Sequence, residues 1–69
     1  MTNRRALLSA IARNHMSFRD VAHMMGMSCL SFRFKLRNVT EFHVSEIKNF
    51  CQICGVTTKQ EIEHIFFSE

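Results

Sequence analysis

The sequence predicts a small all-α domain built from five short helices. Apolar residues recur at intervals of three and four, helix-capping residues precede these stretches, and no segment has a convincing strand pattern. The chain has 69 residues, no proline and only two glycines, and 46% of it is hydrophobic, which is ample for one packed core. We therefore expect a single domain over residues 1–69, with short connections and no linker or disordered tail.

The first two helices are predicted over residues 3–14 and 17–26. The first has one apolar stripe, formed by Leu7, Leu8 and Ile11. Ser17 is a suitable N-cap for the second, because its hydroxyl can accept a hydrogen bond from a main-chain N–H of the first turn. Gly26 ends this helix, since glycine adopts the left-handed backbone conformation at low cost.

The third helix is predicted from Ser28, as its N-cap, to about Arg37. Residues 17–37 together have the spacing of a helix-turn-helix, in which a small residue, Ala22, lies four positions before Gly26. The second helix of such a unit can enter the major groove of DNA.

The last two helices follow a short loop over residues 38–42. The fourth begins at about His43 or Val44 and stops at Gly55, and its apolar residues follow a helical period: Ile47, Phe50, Cys51 and Cys54. Thr58 and Glu61 predict a capping box for a C-terminal helix over residues 58–67.

Several of these residues resemble the Cro and lambda-repressor type of bacterial and phage regulators, and in particular the small single-domain phage members that end in a Phe-Phe pair. The resemblance covers about residues 17–67 and is carried by these residues: Ala22, Gly26, Phe32, Lys35, Leu36, Thr40, Glu41, Phe42, Ser45, Glu46 and Ile47. It implies a compact five-helix lambda-repressor-like DNA-binding domain that binds double-stranded operator DNA as a dimer. The third helix would lie in the major groove and the second across the backbone.

The same resemblance implies which side chains face DNA. The recognition surface would consist of Ser28, Cys29, Leu30, Ser31, Arg33, Phe34 and Arg37, and the phosphate contacts would come from Arg19, Lys35 and Asn38. This chain departs from the family pattern, because Leu30 and Phe34 are apolar where polar base-reading residues are common. Phe18 also replaces a frequent glutamine at the start of the second helix.

Leu30 and Phe34 have three competing interpretations, because helical periodicity places them opposite Phe32 and Leu36. They contact thymine methyl groups in DNA, or they anchor a partner repressor protein to which this chain binds as an antirepressor or modulator. In the third interpretation, one of them packs back onto Phe18 or the second helix.

The C-terminal pair Phe66 and Phe67 predicts a dimer contact. Adjacent helical residues diverge by about 100°, so one ring packs inward and the other remains available to a partner. A homodimer formed through this helix would place two recognition helices about 34 Å apart, one turn of DNA.

Other patterns in the sequence argue against catalysis and metal binding. Cys51 and Cys54 have the spacing of one half of a zinc site, but no second paired motif is present, so we expect them in the core of the fourth helix. No nucleophile and base form a recognisable motif, and no glycine-rich phosphate loop occurs. The sequence predicts no enzyme activity, no metal and no cofactor.

Charge and hydropathy suggest the location. The net charge of +3 is compatible with nucleic acid. No apolar run is long enough to cross a membrane, and residues 1–14 are too polar for a secretory signal. We expect a cytoplasmic protein of a bacterial host cell, associated with the nucleoid and not with membranes.

Overall fold

A computed structural model describes residues 1–68 and contains five α-helices in that range. They are α1 (Arg4–Arg13), α2 (Phe18–Met24), α3 (Cys29–Leu36), α4 (Val44–Cys54) and α5 (Lys59–Phe66). No strand occurs among these residues, which confirms the predicted all-α class and the number of helices. The helices form a body of 27 × 26 × 21 Å. None of those in residues 1–68 is long and apolar enough to span a bilayer.

The helix starts follow the local capping signals. Ser17 Oγ accepts a hydrogen bond from Asp20 N at 3.0 Å, and Asp20 Oδ2 accepts one from Ser17 N at 3.1 Å, which together form a capping box. The hydrogen bond from the Ser17 main chain lowers the pKa of the Asp20 carboxyl. At α3, Ser28 Oγ accepts from Ser31 N at 3.1 Å, as predicted for an N-cap.

Only half of the predicted capping box forms at α5. Thr58 Oγ1 accepts a hydrogen bond from Glu61 N at 3.2 Å, but the Glu61 carboxylate binds Arg13 of α1 at 2.7 Å. The side chain of Glu61 is thus used in a tertiary contact between the first and last helices. The prediction of a reciprocal box at this position is wrong for that reason.

The core is one cluster to which every helix contributes. Its members are Leu7, Ala10, Ile11, Val21, Ala22, Phe32, Leu36, Phe50, Cys54, Val56, Ile65 and Phe66. Leu8 was predicted in the buried stripe of α1 but is exposed. Leu7, Ala10 and Ile11 already define the inward face of α1, and Leu8 is rotated about 100° away from Leu7.

A chain of phenylalanine rings runs through the core and connects four helices. Phe18 of α2 stacks on Phe32 of α3, with ring centroids 4.4 Å apart and planes inclined by 13°. Phe42, in the loop before α4, makes edge contacts with Phe32 at 6.0 Å and with Phe66 of α5 at 5.1 Å. Phe66 in turn meets Phe50 of α4 at 5.4 Å. The position of α3 is therefore tied to the rest of the core.

Candidate functional site

A four-residue turn joins α2 to α3 and sets the direction of α3. Gly26 N donates to His23 O at 3.0 Å and Met27 N donates to Ala22 O at 3.1 Å, which is the bonding pattern of a Schellman motif. Gly26 has φ +73°, a conformation that favours glycine. A Cβ added at this glycine would meet nothing within 4 Å, so the backbone conformation and not the space requires it.

Packing against α2 fixes which face of α3 is turned inward. Phe32 is fully buried under the ring of Phe18, and Leu36 is also buried. Cys29 is half-buried and packs against the core. Phe18 is therefore a packing residue and positions α3.

The opposite face of α3 projects into solvent and is both apolar and cationic. Leu30 is 58% exposed and Phe34 is 41% exposed, so neither is removed from solvent by packing onto α2. Arg33 and Arg37 are exposed as well. The four residues occupy positions i, i+3, i+4 and i+7 and lie on one side of the helix. We call them the outer face of α3.

The end of α3 adds an apolar residue that the sequence analysis did not identify. Asn38 is in the left-handed conformation at φ +63°, with hydrogen bonds from Asn38 N to Lys35 O and from Val39 N to Phe34 O, at 3.1 and 2.9 Å. This second Schellman motif turns Val39 back toward Phe34, and Val39 is 66% exposed. The signal in the sequence was the asparagine followed by an apolar residue just beyond the predicted helix end.

Asn38 was predicted to contact phosphate, but its side chain is used within the protein. Its Oδ1 accepts a hydrogen bond from Thr2 N at 2.8 Å, and its Nδ2 donates to Thr2 O at 3.2 Å. Both polar atoms of the amide therefore bind the main chain that leads into α1. Asn38 thereby attaches the N-terminal segment to the end of α3.

Lys35 was also predicted to contact phosphate and is likewise engaged. Its Nζ donates to Glu41 O at 2.9 Å, pairs with the Glu46 carboxylate at 3.1 Å, and lies 6.0 Å from the centre of the Phe42 ring. Burial alone would raise the pKa of Glu46, but the hydrogen bond from His43 N and the ion pair with Lys35 outweigh it and lower that pKa. The ammonium group of Lys35 thus secures the loop between α3 and α4.

Three arginines remain available on this side of the molecule. Within residues 1–68, neither an ion pair nor a side-chain hydrogen bond engages Arg19 of α2, Arg33 or Arg37. Ser31 is exposed beside them, whereas the Ser28 hydroxyl caps α3. Among the cationic side chains predicted to contact DNA, the arginines are therefore free in the described part of the chain and Lys35 is engaged within the protein.

The two C-terminal phenylalanines have different environments. Phe66 is buried in the ring cluster, so it serves the core of its own chain and is not a surface contact. Phe67 is 61% exposed. It borders an open apolar groove between α4 and α5, whose walls include Val44, Ile47, Cys51, Val56 and Ile62. Of the two residues predicted to form a dimer contact, only Phe67 is exposed.

The cysteine pair of α4 lies in an apolar environment. Burial raises the pKa of the Cys54 thiol to about 11 and also raises the pKa of Cys51. Both side chains are therefore protonated near neutral pH, and a protonated thiol is a poor metal ligand and a poor nucleophile. In the part of the chain that the structure describes, no three His, Cys, Asp or Glu residues are grouped to hold a metal ion.

The outer face of α3 combines exposed apolar and cationic side chains on a helix whose inner face is buried, which suits it to binding. Comparisons of the chain with protein-family models, with curated proteins and with solved structures found no match.

Proposed function

We propose that this protein is a sequence-specific DNA-binding regulator of transcription that places the outer face of α3 in the major groove of operator DNA. The observation that carries the proposal is this face, where Leu30, Arg33, Phe34 and Arg37 project together from a helix anchored by its inner face. A recognition helix must present side chains to base edges while its position stays fixed, and α3 combines both properties.

Electrostatics support a polyanionic ligand. The net charge is +3, and Arg19, Arg33 and Arg37 have no acidic partner within residues 1–68. Arginine binds phosphate oxygens and guanine edges through paired N–H donors. In this proposal Arg33 or Arg37 contacts guanine, and Arg19 with the remaining arginine contacts phosphates on the two sides of the groove.

We also propose that the protein acts as a homodimer formed through the groove between α4 and α5. An exposed aromatic ring beside an apolar groove on the same molecule suits a two-fold contact, in which Phe67 of each copy enters the groove of the other. The dimer would place its two α3 helices about one DNA turn apart and would regulate transcription by occupying a promoter.

The dimer proposal is tested by Phe67→Ser, with Val39→Ser as the matched control, since Val39 is similarly exposed but does not line the groove. Sedimentation equilibrium measures the mass of each species in solution. We expect a monomer for the first variant and a dimer for both the wild type and the control. A wild-type monomer, or an unchanged dimer with Phe67→Ser, would remove this surface from the proposal.

DNA binding is tested by selection of the purified protein against a random duplex library at near-physiological salt. A Leu30→Ala, Phe34→Ala double variant is run in parallel, with Leu8→Ala on α1 as a control for loss of an exposed apolar side chain outside both α3 and the groove. We expect a palindromic site with half-sites about one turn apart, retained by the control and lost with the double variant. Well-folded protein that enriches no sequence would contradict the proposal.

One observation favours a second candidate function, that of an antirepressor or modulator. Leu30, Phe34 and Val39 are all exposed, and Phe34 lies one helical turn from Leu30 and lines the same hollow as Val39. Exposed apolar clusters on small proteins commonly mark protein contacts. In this case the outer face of α3 would bind a partner repressor. Salt distinguishes the two functions, because DNA binding weakens steeply with ionic strength whereas apolar burial is not screened.

A further inference from the structure

We infer that the outer face of α3 recognises the C5-methyl group of pyrimidines, in thymine or in 5-methylcytosine, at two positions of each half-site. The inference rests on the proposed DNA-binding function. It goes further by naming the chemical group on the base pairs that α3 recognises. Methylation of cytosine at these positions would accordingly change the affinity of the protein for DNA.

The chemistry of Leu30 and Phe34 leads to this choice. Neither side chain has a hydrogen-bond donor or acceptor, and both are exposed on the face that would enter the groove. The major-groove edges of guanine, adenine and cytosine present polar atoms, whereas thymine also presents a methyl group. An apolar side chain pressed against a polar edge would leave that edge without a partner, so these residues favour a methyl group.

The lack of a free amide side chain within residues 28–38 independently supports recognition of a methyl group. Asparagine and glutamine are the side chains that read adenine through two hydrogen bonds. Across residues 28–38 the only such side chain is Asn38, and both of its polar atoms bind Thr2. Cys29 packs against the core and the Ser28 hydroxyl caps α3. Readout by α3 is therefore left to two apolar side chains, two arginines and Ser31.

The spacing along α3 predicts the spacing of the methyl groups. Leu30 and Phe34 are four residues apart, which corresponds to about 6 Å along a helix axis. Base pairs are stacked about 3.4 Å apart. With α3 aligned along the groove, the two recognised methyl groups therefore lie about two base-pair steps from each other. Leu30 is the second residue of α3, close to the helix end that reaches base edges in such complexes.

The experiment starts from a duplex enriched by the library selection and replaces thymine with deoxyuridine at one position at a time. This exchange removes the C5-methyl group and keeps every hydrogen-bonding group. Fluorescence anisotropy measures Kd for each duplex. Burial of one methyl group corresponds to about fourfold in affinity, so we expect about fourfold weaker binding at each of two positions in each half-site, about two steps apart.

Single variants assign each position to one side chain. We expect Leu30→Ala to remove the sensitivity to deoxyuridine at one position and Phe34→Ala to remove it at the other. Leu8→Ala, which shortens an exposed side chain on α1 outside both α3 and the groove, should leave both sensitivities in place. When cytosine is placed at a sensitive position, the protein should bind the duplex about fourfold more tightly if that cytosine carries a 5-methyl group.

The outcomes distinguish this inference from the function on which it rests. If the wild type selects a sequence but binds thymine and deoxyuridine duplexes equally at every position, methyl recognition is wrong and DNA binding stands. If the two alanine variants retain both sensitivities, the assignment of methyl recognition to Leu30 and Phe34 is wrong and DNA binding stands. If protein shown to be folded by circular dichroism enriches no duplex, the proposed function and this inference both fail.

Discussion

If the protein binds DNA as proposed, the salt dependence of binding distinguishes the cations that face solvent from the one that is engaged inside the protein. Arg19, Arg33 and Arg37 have no intramolecular partner within residues 1–68, whereas Lys35 binds Glu41 O and the Glu46 carboxylate. If all three arginines contact phosphates, a dimer makes about six such contacts, and log Kobs then falls with log[salt] with a slope of about −5. Each arginine used on a base edge instead makes the slope shallower.

Two neutral substitutions test this assignment. With Arg33 on guanine and Arg37 on phosphate, we expect Arg37→Gln to reduce the magnitude of the slope by about 1 per protomer, because one phosphate contact is lost. Lys35→Met should leave the slope unchanged. It should instead lower the free energy of unfolding by about 1–2 kcal/mol, since it removes two charge-assisted hydrogen bonds and leaves the half-buried Glu46 without its cation.

The assay is anisotropy titration of the selected duplex at four or five salt concentrations, combined with urea unfolding of each variant. Arg37→Gln serves as the stability control, because its side chain makes no bond within the described residues. The reasoning is refuted if Lys35→Met, while still folded, reduces the slope as much as Arg37→Gln does. Such a result would mean that Lys35 leaves Glu46 on binding and contacts a phosphate.

Three further predictions concern the frame that carries α3. Gly26→Ala should destabilise the protein by about 1 kcal/mol, because it forces alanine to φ +73° without any clash, and Gly26→Asn should cost less in thermal unfolding. If the two variants lose the same stability, the left-handed conformation of residue 26 is not what requires glycine. His15 ends α1 at φ +57°, so His15→Gly should raise Tm, by an amount corresponding to about 1 kcal/mol; a fall in Tm would show that its side chain makes a stabilising contact. Burial raises the pKa of Cys54 from 9.0 to about 11, so above pH 9 the unfolded chain releases a proton that the folded state keeps. Stability should thus decline by about 2 kcal/mol between pH 9 and pH 11 in urea titrations, and Cys54→Ala should lack that component of the decline. The same decline in the variant would assign it to other groups.

The boundaries of the helices could be predicted because their causes are local. Ser17, Ser28 and Thr58 each accept a hydrogen bond from an N–H three residues ahead, and Gly26 and Gly55 both adopt the left-handed conformation that ends a helix. These interactions lie within a few residues of chain. A sequence pattern therefore contains all the information they require.

The faces of α3 were also predictable, because helical periodicity alone separates Phe32 and Leu36 from Leu30 and Phe34. The same reasoning failed for Leu8 of α1, which was assigned to the buried stripe. Periodicity gives the direction of a side chain relative to its neighbours. It does not give the width of the surface that the remaining helices cover.

The engagement of Lys35 and Asn38 could not be predicted from local patterns. Asn38 binds Thr2, which lies 36 residues away in the sequence, and Lys35 binds a carboxylate on α4. Glu61 was predicted to complete a local capping box but pairs with Arg13, 48 residues away. In each case a polar side chain had a local or solvent alternative, and packing of distant helices supplied a partner that the sequence pattern does not contain.

The sequence by itself determined the all-α class, the five helices, and the apolar and cationic character of the outer face of α3. These properties follow from side-chain periodicity and from capping, which act over one or two helical turns. Only the tertiary structure decided which cations remain available beside Leu30 and Phe34, that Phe66 is buried, and that Phe67 borders a groove. The reason is physical: ion pairs, ring contacts and grooves form between segments far apart in the chain, and their partners are set by how the helices pack.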